Sequence, residues 1–229
     1  MELLYTDARI VVCLKPAGVL STDEPGGMPE LLRRALGEPE TGCVRTVHRL
    51  DRPVGGVMVY AKTAKEAARL TQSMGEGGMQ KTYLAVLTGC PEETSGTLED
   101  LLFHDRVKNK TYVVRRPRGG VKKAVLSYEI LAEAEGLSLA RVRLQTGRTH
   151  QIRVQFAHAG WPLLGDTKYG NTTVAGTAGS PAYGGVALCA YSLDFTHPGS
   201  GKKMSFRVKP QNPAFEKFTK IPSEDIFEG

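Results

Sequence analysis

The chain has 229 residues, enough to bury the apolar core of one large domain or two small ones without a metal or disulfide. Its four cysteines form no CxxC pair, which indicates free thiols in a reducing cytoplasm rather than a zinc site or a disulfide framework. The first residues lack the basic start and apolar run of a signal peptide, and no stretch of eighteen apolar residues predicts a membrane span. The net charge of +6 admits a polyanionic partner without proving one.

Predicted strands and short helices alternate through the first part of the chain. Thr63 is a predicted N-cap, and Glu66 completes its capping box. The predicted strands are 9–15, 55–62, 81–88, 123–131 and 137–145, and the predicted helices are 29–36 and 63–74.

The last part of the chain is predicted to contain a helix, a loop and a hairpin. Thr149 is the expected N-cap of a helix that continues to Ala159. Residues 171–185 are rich in small and polar residues and predict a mobile loop. Alternating apolar residues at 189–195 and 204–208 predict a hairpin that turns at 197–200. Together these elements favour an α+β fold with a mostly antiparallel mixed sheet and flanking helices and loops.

Chemically active side chains are densest in VHRLDRPVGG, residues 47–56. Asp51 lies between Arg49 and Arg52, and cations beside a carboxylate favour the ionised form that a nucleophile or base requires. From spacing alone, a surface ion pair in a turn explains the pattern better.

Two further clusters follow. TGRTHQIR, residues 146–153, places Arg148 and Arg153 around a helix start, where an anion is favoured, although solvated arginines beside a capped helix give the same pattern. Tyr83 begins an otherwise apolar strand and could present its phenol to a pocket, although single tyrosines more often pack in the core.

A basic turn lies in the middle of the chain. It is explained equally well by a phosphate-binding loop and by the solvated tip of a hairpin. The turn contains Arg115, Arg116, Arg118, Lys122 and Lys123 around Pro117, Gly119 and Gly120.

Several motifs in order resemble the RluA-like family of RNA pseudouridine synthases. The chain has HRLD at 48–51, KTYLA at 81–85 and GRTHQIR at 147–153, with KPAG at 15–18 before them. The segments 96–114, 158–170 and 188–206 also resemble the family, so the likeness covers nearly the whole chain.

The resemblance implies roles for individual residues. Asp51 is then the catalytic aspartate, Tyr83 the tyrosine that stacks on the target base, and Arg148 the partner of the Asp51 carboxylate. Arg49 is expected to fill the gap left by the flipped base. The remaining expected RNA contacts are Arg52, Arg115, Arg116, Arg118, Lys122, Lys123 and Arg153.

The sequence departs from the family pattern in two respects. Val54 and Gly55 stand where the family usually has Thr and Ser, which removes two hydroxyls beside the catalytic loop. The first predicted strand begins near Arg9 and leaves no room for the S4 domain that often precedes this fold. We therefore expect residues 1–229 to form a single catalytic domain.

The implied reaction converts uridine to pseudouridine in structured ribosomal or transfer RNA. The base is flipped out, Asp51 assists cleavage of the glycosidic bond, and uracil reattaches through C5. Asp51 could add to the ribose, add to the base or promote glycal formation. No metal, other cofactor, membrane or obligatory protein partner is expected, since neither metal-ligand spacing nor a GxGxxG or GxxxxGK[ST] phosphate loop occurs. The alternatives are a catalytically inactive RNA-binding protein that retains the fold and a glycosidase, which usually needs a second carboxylate.

Overall fold

The computed structural model describes residues 2–170 and 185–218. Its helices are α1 (Met28–Leu36), α2 (Ala64–Gly75) and α3 (Gln151–His158), and a 3-10 helix covers Pro213–Phe218. The strands are β1 (Glu2–Thr6), β2 (Ile10–Lys15), β3 (Arg45–Thr46), β4 (Gly55–Ala61), β5 (Met79–Thr88), β6 (Ser95–Asp105), β7 (Lys110–Val114), β8 (Val121–Ala134), β9 (Leu137–Leu144), β10 (Leu188–Thr196) and β11 (Lys203–Arg207). Within these residues, no helix has the length and apolar character needed to cross a membrane. The loop predicted at 171–185 lies, except for Gly185, outside the described residues.

Contacts along the chain define two compact units. Of the described residues, the first unit contains 2–81 and 190–210, and the second contains 82–170, 185–189 and 211–218. The chain therefore passes from one unit to the other within β5, between Lys81 and Thr82, again within β10, and once more between Pro210 and Gln211. The expectation of a single catalytic domain stays a prediction.

The first unit has the strand order β1-β2-β4-β10, with β3 beside β4 and β11 beside β10. The pairs β1-β2, β2-β4, β3-β4 and β10-β11 are antiparallel. Every residue of β2 is buried, as its apolar sequence predicts, and so are six of the seven in β4. The antiparallel pair of β10 and β11 confirms the predicted hairpin, but residues 188–193 of β10 are buried on both faces rather than on alternate positions. Lys15 ends β2 and is buried as completely as the apolar residues before it.

The N-terminus of α2 confirms one half of its predicted cap. The Glu66 amide donates to the Thr63 hydroxyl over 3.1 Å, as expected of an N-cap. The predicted capping box is wrong, because the buried Glu66 carboxylate binds Arg9 at 2.6 Å and Arg69 at 3.4 Å. Ion pairing with these two cations takes the place of the bond to the cap residue's amide.

The second unit has the strand order β5-β9-β8-β6-β7, and each of its pairs is antiparallel. The predicted pair of β8 and β9 is confirmed, and Glu135 and Gly136 turn the chain between them with positive φ. Together with the first unit, this confirms the predicted mostly antiparallel α+β fold.

The basic segment, residues 115–123, does not form the tip of a hairpin, so that alternative is wrong. Residues 101–103 of β6 pair with β7 on one edge and with β8 on the other. Since β7 and β8 therefore run parallel with β6 between them, residues 115–120 must cross one face of β6. The Arg118 guanidinium lies 4.7 Å from the centre of the Phe103 ring, as this path requires.

The start of α3 also differs from the prediction. Thr149 does not cap it; the cap position is His150, whose φ of 55° places it in the left-handed region. The helix is buried on every side over residues 151–156, rather than along one stripe. Its polar residues therefore need partners inside the protein.

Gly56 has a backbone that tolerates no side chain. Its φ is 138°, and a Cβ at this position would lie 2.5 Å from the Ala190 nitrogen. We expect Gly56→Ala to lower the free energy of unfolding by roughly 2–4 kcal/mol. The control is Gly75→Ala in α2, where nothing lies within 4 Å; it should change that energy by less than about 1 kcal/mol. Equal effects in urea unfolding would show that the close approach to Ala190 is unimportant.

Candidate active site

The loop that carries Asp51 is fixed by hydrogen bonds on both sides of that residue. The Ser21 hydroxyl donates to the Leu50 carbonyl over 2.9 Å and accepts from the Leu50 amide over 3.0 Å. The Gly18 amide donates to the Arg52 carbonyl over 2.7 Å, and the Val54 amide closes a turn onto the Asp51 carbonyl over 2.9 Å. A half-buried carboxylate is thus carried by a backbone with little freedom to move.

The ammonium group of Lys15 donates hydrogen bonds to the main chain of this loop. Its Nζ donates to three main-chain carbonyls, at 2.9 Å to Pro16, 3.3 Å to Arg52 and 2.8 Å to Val54. Burial lowers the pKa of Lys15 from 10.5 to about 8, and the charge of Asp51 opposes that shift. The ammonium therefore joins the KPAG turn to the loop around Asp51.

His48, the first residue of the HRLD motif, has a structural role. Its Nε2 accepts the Val59 amide over 3.2 Å, which leaves the proton of the neutral ring on Nδ1. Burial, with a smaller contribution from the charge of Lys81, holds the pKa of His48 well below its usual value. A neutral imidazole packed against β4 supports the start of the loop.

The two arginines beside Asp51 are exposed. Across residues 2–170 and 185–218, neither Arg49 nor Arg52 takes part in an ion pair, and Arg52 donates through Nε to the Gly18 carbonyl over 2.9 Å. The alternative interpretation of the Asp51 segment, a surface ion pair in a turn, stays a prediction. Both guanidinium groups are accessible to a phosphate.

The altered residues after the loop fit this arrangement without side-chain hydroxyls. Val54 is 2% exposed, and its main chain supplies both a donor and an acceptor to the loop. A Cβ at Gly55 would lie 3.3 Å from the Lys15 carbonyl oxygen, so the space there is tight. The hydrogen bonds that fix the loop come from main-chain groups, Lys15 and Ser21.

Arg148 lies in the second unit, in the loop before α3. Gln151 fixes the main chain of that loop, because its Oε1 accepts from the Arg148 amide at 3.0 Å and from the Thr146 hydroxyl at 2.9 Å. Nε2 of the Gln151 side chain donates to the Val125 carbonyl at 3.1 Å. The side chain of Arg148 donates through Nε to the Lys123 carbonyl at 3.0 Å. These bonds orient the guanidinium against the start of β8.

Arg153 lies in the interior rather than on an RNA-facing surface. It is 5% exposed, and Nε and one terminal nitrogen each lie 2.7 Å from Asp166. Its guanidinium carbon also lies 5.2 Å from the centre of the Tyr169 ring. A bidentate pair at this depth stabilises the chain after α3, so we leave Arg153 out of the RNA contacts proposed below.

The other predicted residues lie as follows. Tyr83 is 6% exposed and lies opposite Val142 in the pair of β5 with β9. The arginines of the basic segment are exposed, and Lys123 pairs with Glu99 at 2.6 Å. The first unit thus brings Asp51 together with Lys15 and Ser21, and the second brings Arg148 together with Gln151 and Lys123.

Lys15, Ser21 and Gln151 are the residues that sequence reasoning missed. Lys15 could have been identified, because a lysine at the end of an otherwise apolar strand must find hydrogen-bond acceptors if it is buried. Ser21 and Gln151 carried none. Among the described residues, no three His, Cys, Asp or Glu side chains are grouped so that they could hold a metal ion.

A profile of the family described as RNA pseudouridylate synthase matches residues 9–158, which include the Asp51 loop, Tyr83 and Arg148. The chain belongs to this family. The predicted RluA-like family and the predicted class of enzyme, an RNA pseudouridine synthase, are thereby confirmed.

Relatives of this RNA pseudouridylate synthase include proteins named for the ribosome. Ribosomal large subunit pseudouridine synthase D of Zymomonas mobilis is 33% identical over 225 residues, covering 93% of this chain and 70% of the relative. Ribosomal large subunit pseudouridine synthase C of Escherichia coli is 35% identical over 211 residues, covering 88% and 64%. The chain thus spans about two thirds of the length of these relatives.

Solved structures confirm the fold of this family member. The human protein RNA pseudouridylate synthase domain containing 1 is 21% identical, with a TM-score of 0.75 over 93% of this chain and 85% of the other. The human protein RNA pseudouridylate synthase domain containing 4 is 22% identical, with a TM-score of 0.73 over 91% and 88%.

Replacing Lys15 tests whether its ammonium positions the Asp51 loop. Lys15→Met keeps the length of the side chain but leaves three main-chain carbonyls, of which that of Val54 is buried, without this donor. We expect about a hundredfold loss of isomerase kcat, because small displacements of a catalytic group are costly. The free energy of unfolding near pH 7 should change by less than about 2 kcal/mol, since loss of a buried charge offsets the unpaired carbonyls. Exposed Lys65→Met is the control.

The pH dependence of stability provides a second measure of the same variant. Below the folded-state pKa of about 8, Lys15 is protonated in both the folded and the unfolded chain. Between that pKa and the unfolded value of 10.5, the unfolded chain holds more protons, so this group adds stability as the pH rises. The free energy of unfolding of the unaltered protein minus that of Lys15→Met should therefore increase from pH 8 to pH 10. A constant difference would contradict the buried ammonium.

Proposed function

We propose that this chain isomerises uridine to pseudouridine in ribosomal RNA, with Asp51 as the catalytic carboxylate. The family match supports the reaction, and the names of the relatives support ribosomal rather than transfer RNA. The observation that carries the proposal is the position of Asp51, within HRLD on a loop that hydrogen bonds fix on both sides. A rigid loop holds a catalytic group in its reactive geometry at no further cost in entropy.

The proposed chemistry is an isomerisation without redox change. The bond between uracil N1 and ribose C1′ breaks, a bond from C5 to C1′ forms, C5 loses a proton and N1 gains one. Asp51 in its ionised form assists the cleavage, and routes through the ribose, the base or a glycal each need only one carboxylate. The target base must first leave its stack, at a cost of a few kcal/mol.

The neighbouring residues receive roles that follow from the family likeness and from their chemistry. Tyr83 stacks on the flipped base and assists or relays the transfer of the C5 proton. Arg148 is the partner of the Asp51 carboxylate, and the fixed backbone around it suits that role. Arg49, exposed two residues before Asp51, fills the gap that the base leaves in the RNA.

The basic segment and Arg52 supply affinity rather than chemistry. All six residues from Arg115 to Gly120 are exposed. Because the segment crosses β6 with Arg118 stacked on Phe103, its cations are held on a defined path. A fixed row of cations can bind the phosphates of a single strand with little loss of side-chain freedom.

Removing the carboxylate charge of Asp51 should abolish isomerisation while leaving RNA binding intact. We expect Asp51→Asn to lose detectable release of tritium from ribosomal RNA transcribed with 5-tritiated uridine, because C5 gives up its hydrogen only in the reaction. The dissociation constant for that RNA should stay within about threefold, since the basic surface is unchanged. Asp194→Asn on β10 is the matched control and should retain full turnover. Turnover by purified Asp51→Asn would refute the catalytic assignment, and an inactive unaltered protein that binds RNA would favour the noncatalytic alternative.

Neutralising Arg115, Arg116 and Arg118 together should weaken RNA binding and flatten its dependence on salt. Each lost phosphate contact to a single strand lowers the slope of log affinity against log salt by about 0.7, so three contacts lower it by about two. Single-turnover rates at saturating enzyme should stay nearly unchanged. A control with the exposed Lys65, Lys202 and Lys203 changed to Gln alters the net charge equally. If both triple variants give the same slope, the RNA-binding surface does not include the basic segment.

A further inference from the structure

The turn between β6 and β7 is a rigid tip with an exposed apolar residue at its end. We call residues 105–109 the β6–β7 tip. The Asp105 carboxylate accepts from the main-chain amides of Val107 and Lys108, each at 3.0 Å. Asn109 then reverses the chain with a φ of 44°. The tip is thus fixed by its own hydrogen bonds, as in an Asx turn.

The composition of the tip is unusual for a surface turn. Val107 is 96% exposed, the most exposed of the large hydrophobic residues in the described chain. Arg106 and Lys108 on either side of it are exposed, and neither forms an ion pair with any described residue. The carboxylate of Asp105 is occupied by the turn itself. Two free cations therefore flank one apolar side chain on a rigid support.

Hydrogen bonds connect the base of the tip to the loop that carries Arg148. The hydroxyl of Thr111, the second residue of β7, donates to the Thr149 carbonyl at 2.9 Å. The Thr111 amide donates to the Tyr169 hydroxyl at 2.8 Å, and Lys168 donates to the Asn109 carbonyl at 2.8 Å. The tip therefore projects from the same framework that positions the proposed catalytic arginine.

We propose that the β6–β7 tip is a second RNA contact, distinct from the basic segment. Arg106 and Lys108 bind phosphates, and Val107 packs on a ribose or an unstacked base between them. This inference rests on the proposed function, because it assumes an RNA substrate engaged near Arg148. The tip and the basic segment lie at opposite ends of β7, so the bound RNA strand would contact the protein at two places.

The chemistry of the tip favours RNA over a protein partner. A specific protein interface buries about 1,200 Å² or more and has an apolar centre, whereas the tip offers one valine between two cations. Apolar side chains that insert among bases, with Arg or Lys on the adjacent phosphates, are a recurring mode of nucleic-acid binding. A rigid tip also loses little conformational freedom on binding.

Binding is best measured in an Asp51→Asn background with unmodified large-subunit ribosomal RNA transcribed in vitro, so that turnover does not interfere. Changing Arg106 and Lys108 to Gln should lower the slope of log affinity against log salt by about 1.4. The control, Lys65→Gln with Lys202→Gln, removes the same charge and should leave the slope unchanged. Val107→Ser should weaken binding about threefold to tenfold without changing the slope, because it removes apolar contact alone. A photo-reactive benzoylphenylalanine at position 107 should cross-link to the RNA, and one at exposed Glu76 should not.

The possible results separate the tip from the proposed function. An unchanged slope with no RNA cross-link at position 107 overturns the tip proposal, and so does a cross-link from that position to protein alone. If the unaltered protein forms pseudouridine in the same RNA while the tip results are negative, only the tip proposal fails. If it forms none while the tip cross-links, the proposed function fails and RNA contact at the tip stands. No RNA binding by either protein contradicts both.

Discussion

A lysine ammonium without solvent exposure needs acceptors inside the protein, and Lys15 finds three main-chain carbonyls. Two of them, from Arg52 and Val54, belong to the loop that follows Asp51. The position of the proposed catalytic carboxylate therefore depends on a charge that is costly to bury. Apolar packing could fill the same volume, but it would not fix the directions of these carbonyls. Hydrogen bonds position the loop, whereas its proline and glycines only allow the backbone to adopt this conformation.

In the second unit, neutral groups fix the position of the proposed catalytic arginine. Gln151 uses both ends of its amide to join the Arg148 main chain to β8, and Lys123 accepts from the Arg148 side chain. Lys123 also belongs to the basic segment, so the surface proposed to bind RNA and the proposed catalytic arginine share one strand end. In both units the reactive group is half-buried, whereas the side chains of Lys15, Ser21 and Gln151, which fix the backbone around it, are buried.

Sequence reasoning succeeded where local patterns are sufficient. The apolar run of β2, the cap at Thr63 and the turn at Glu135 and Gly136 are each written in a few adjacent residues, and the motifs gave the family. It failed where distant residues decide the structure. Glu66 does not complete the predicted capping box, because its carboxylate pairs with Arg9, which is distant in sequence. The basic segment looked like a hairpin tip because nothing local shows that β6 lies between β7 and β8. His150, not Thr149, occupies the N-cap position of α3, and the Gln151 side chain binds back to the loop before it. Ser21 gave no warning because its partner is 29 positions away.

The central claim is that this chain makes pseudouridine in ribosomal RNA through Asp51. Its most direct test is a map of pseudouridines, by carbodiimide modification and primer extension, in ribosomal RNA from cells with and without the gene. The deletion strain should then carry either the unaltered gene or the version with Asp51→Asn. We expect one or a few pseudouridines to disappear on deletion and to return only with the unaltered gene. An identical map in all strains, or full restoration by Asp51→Asn, would contradict the account.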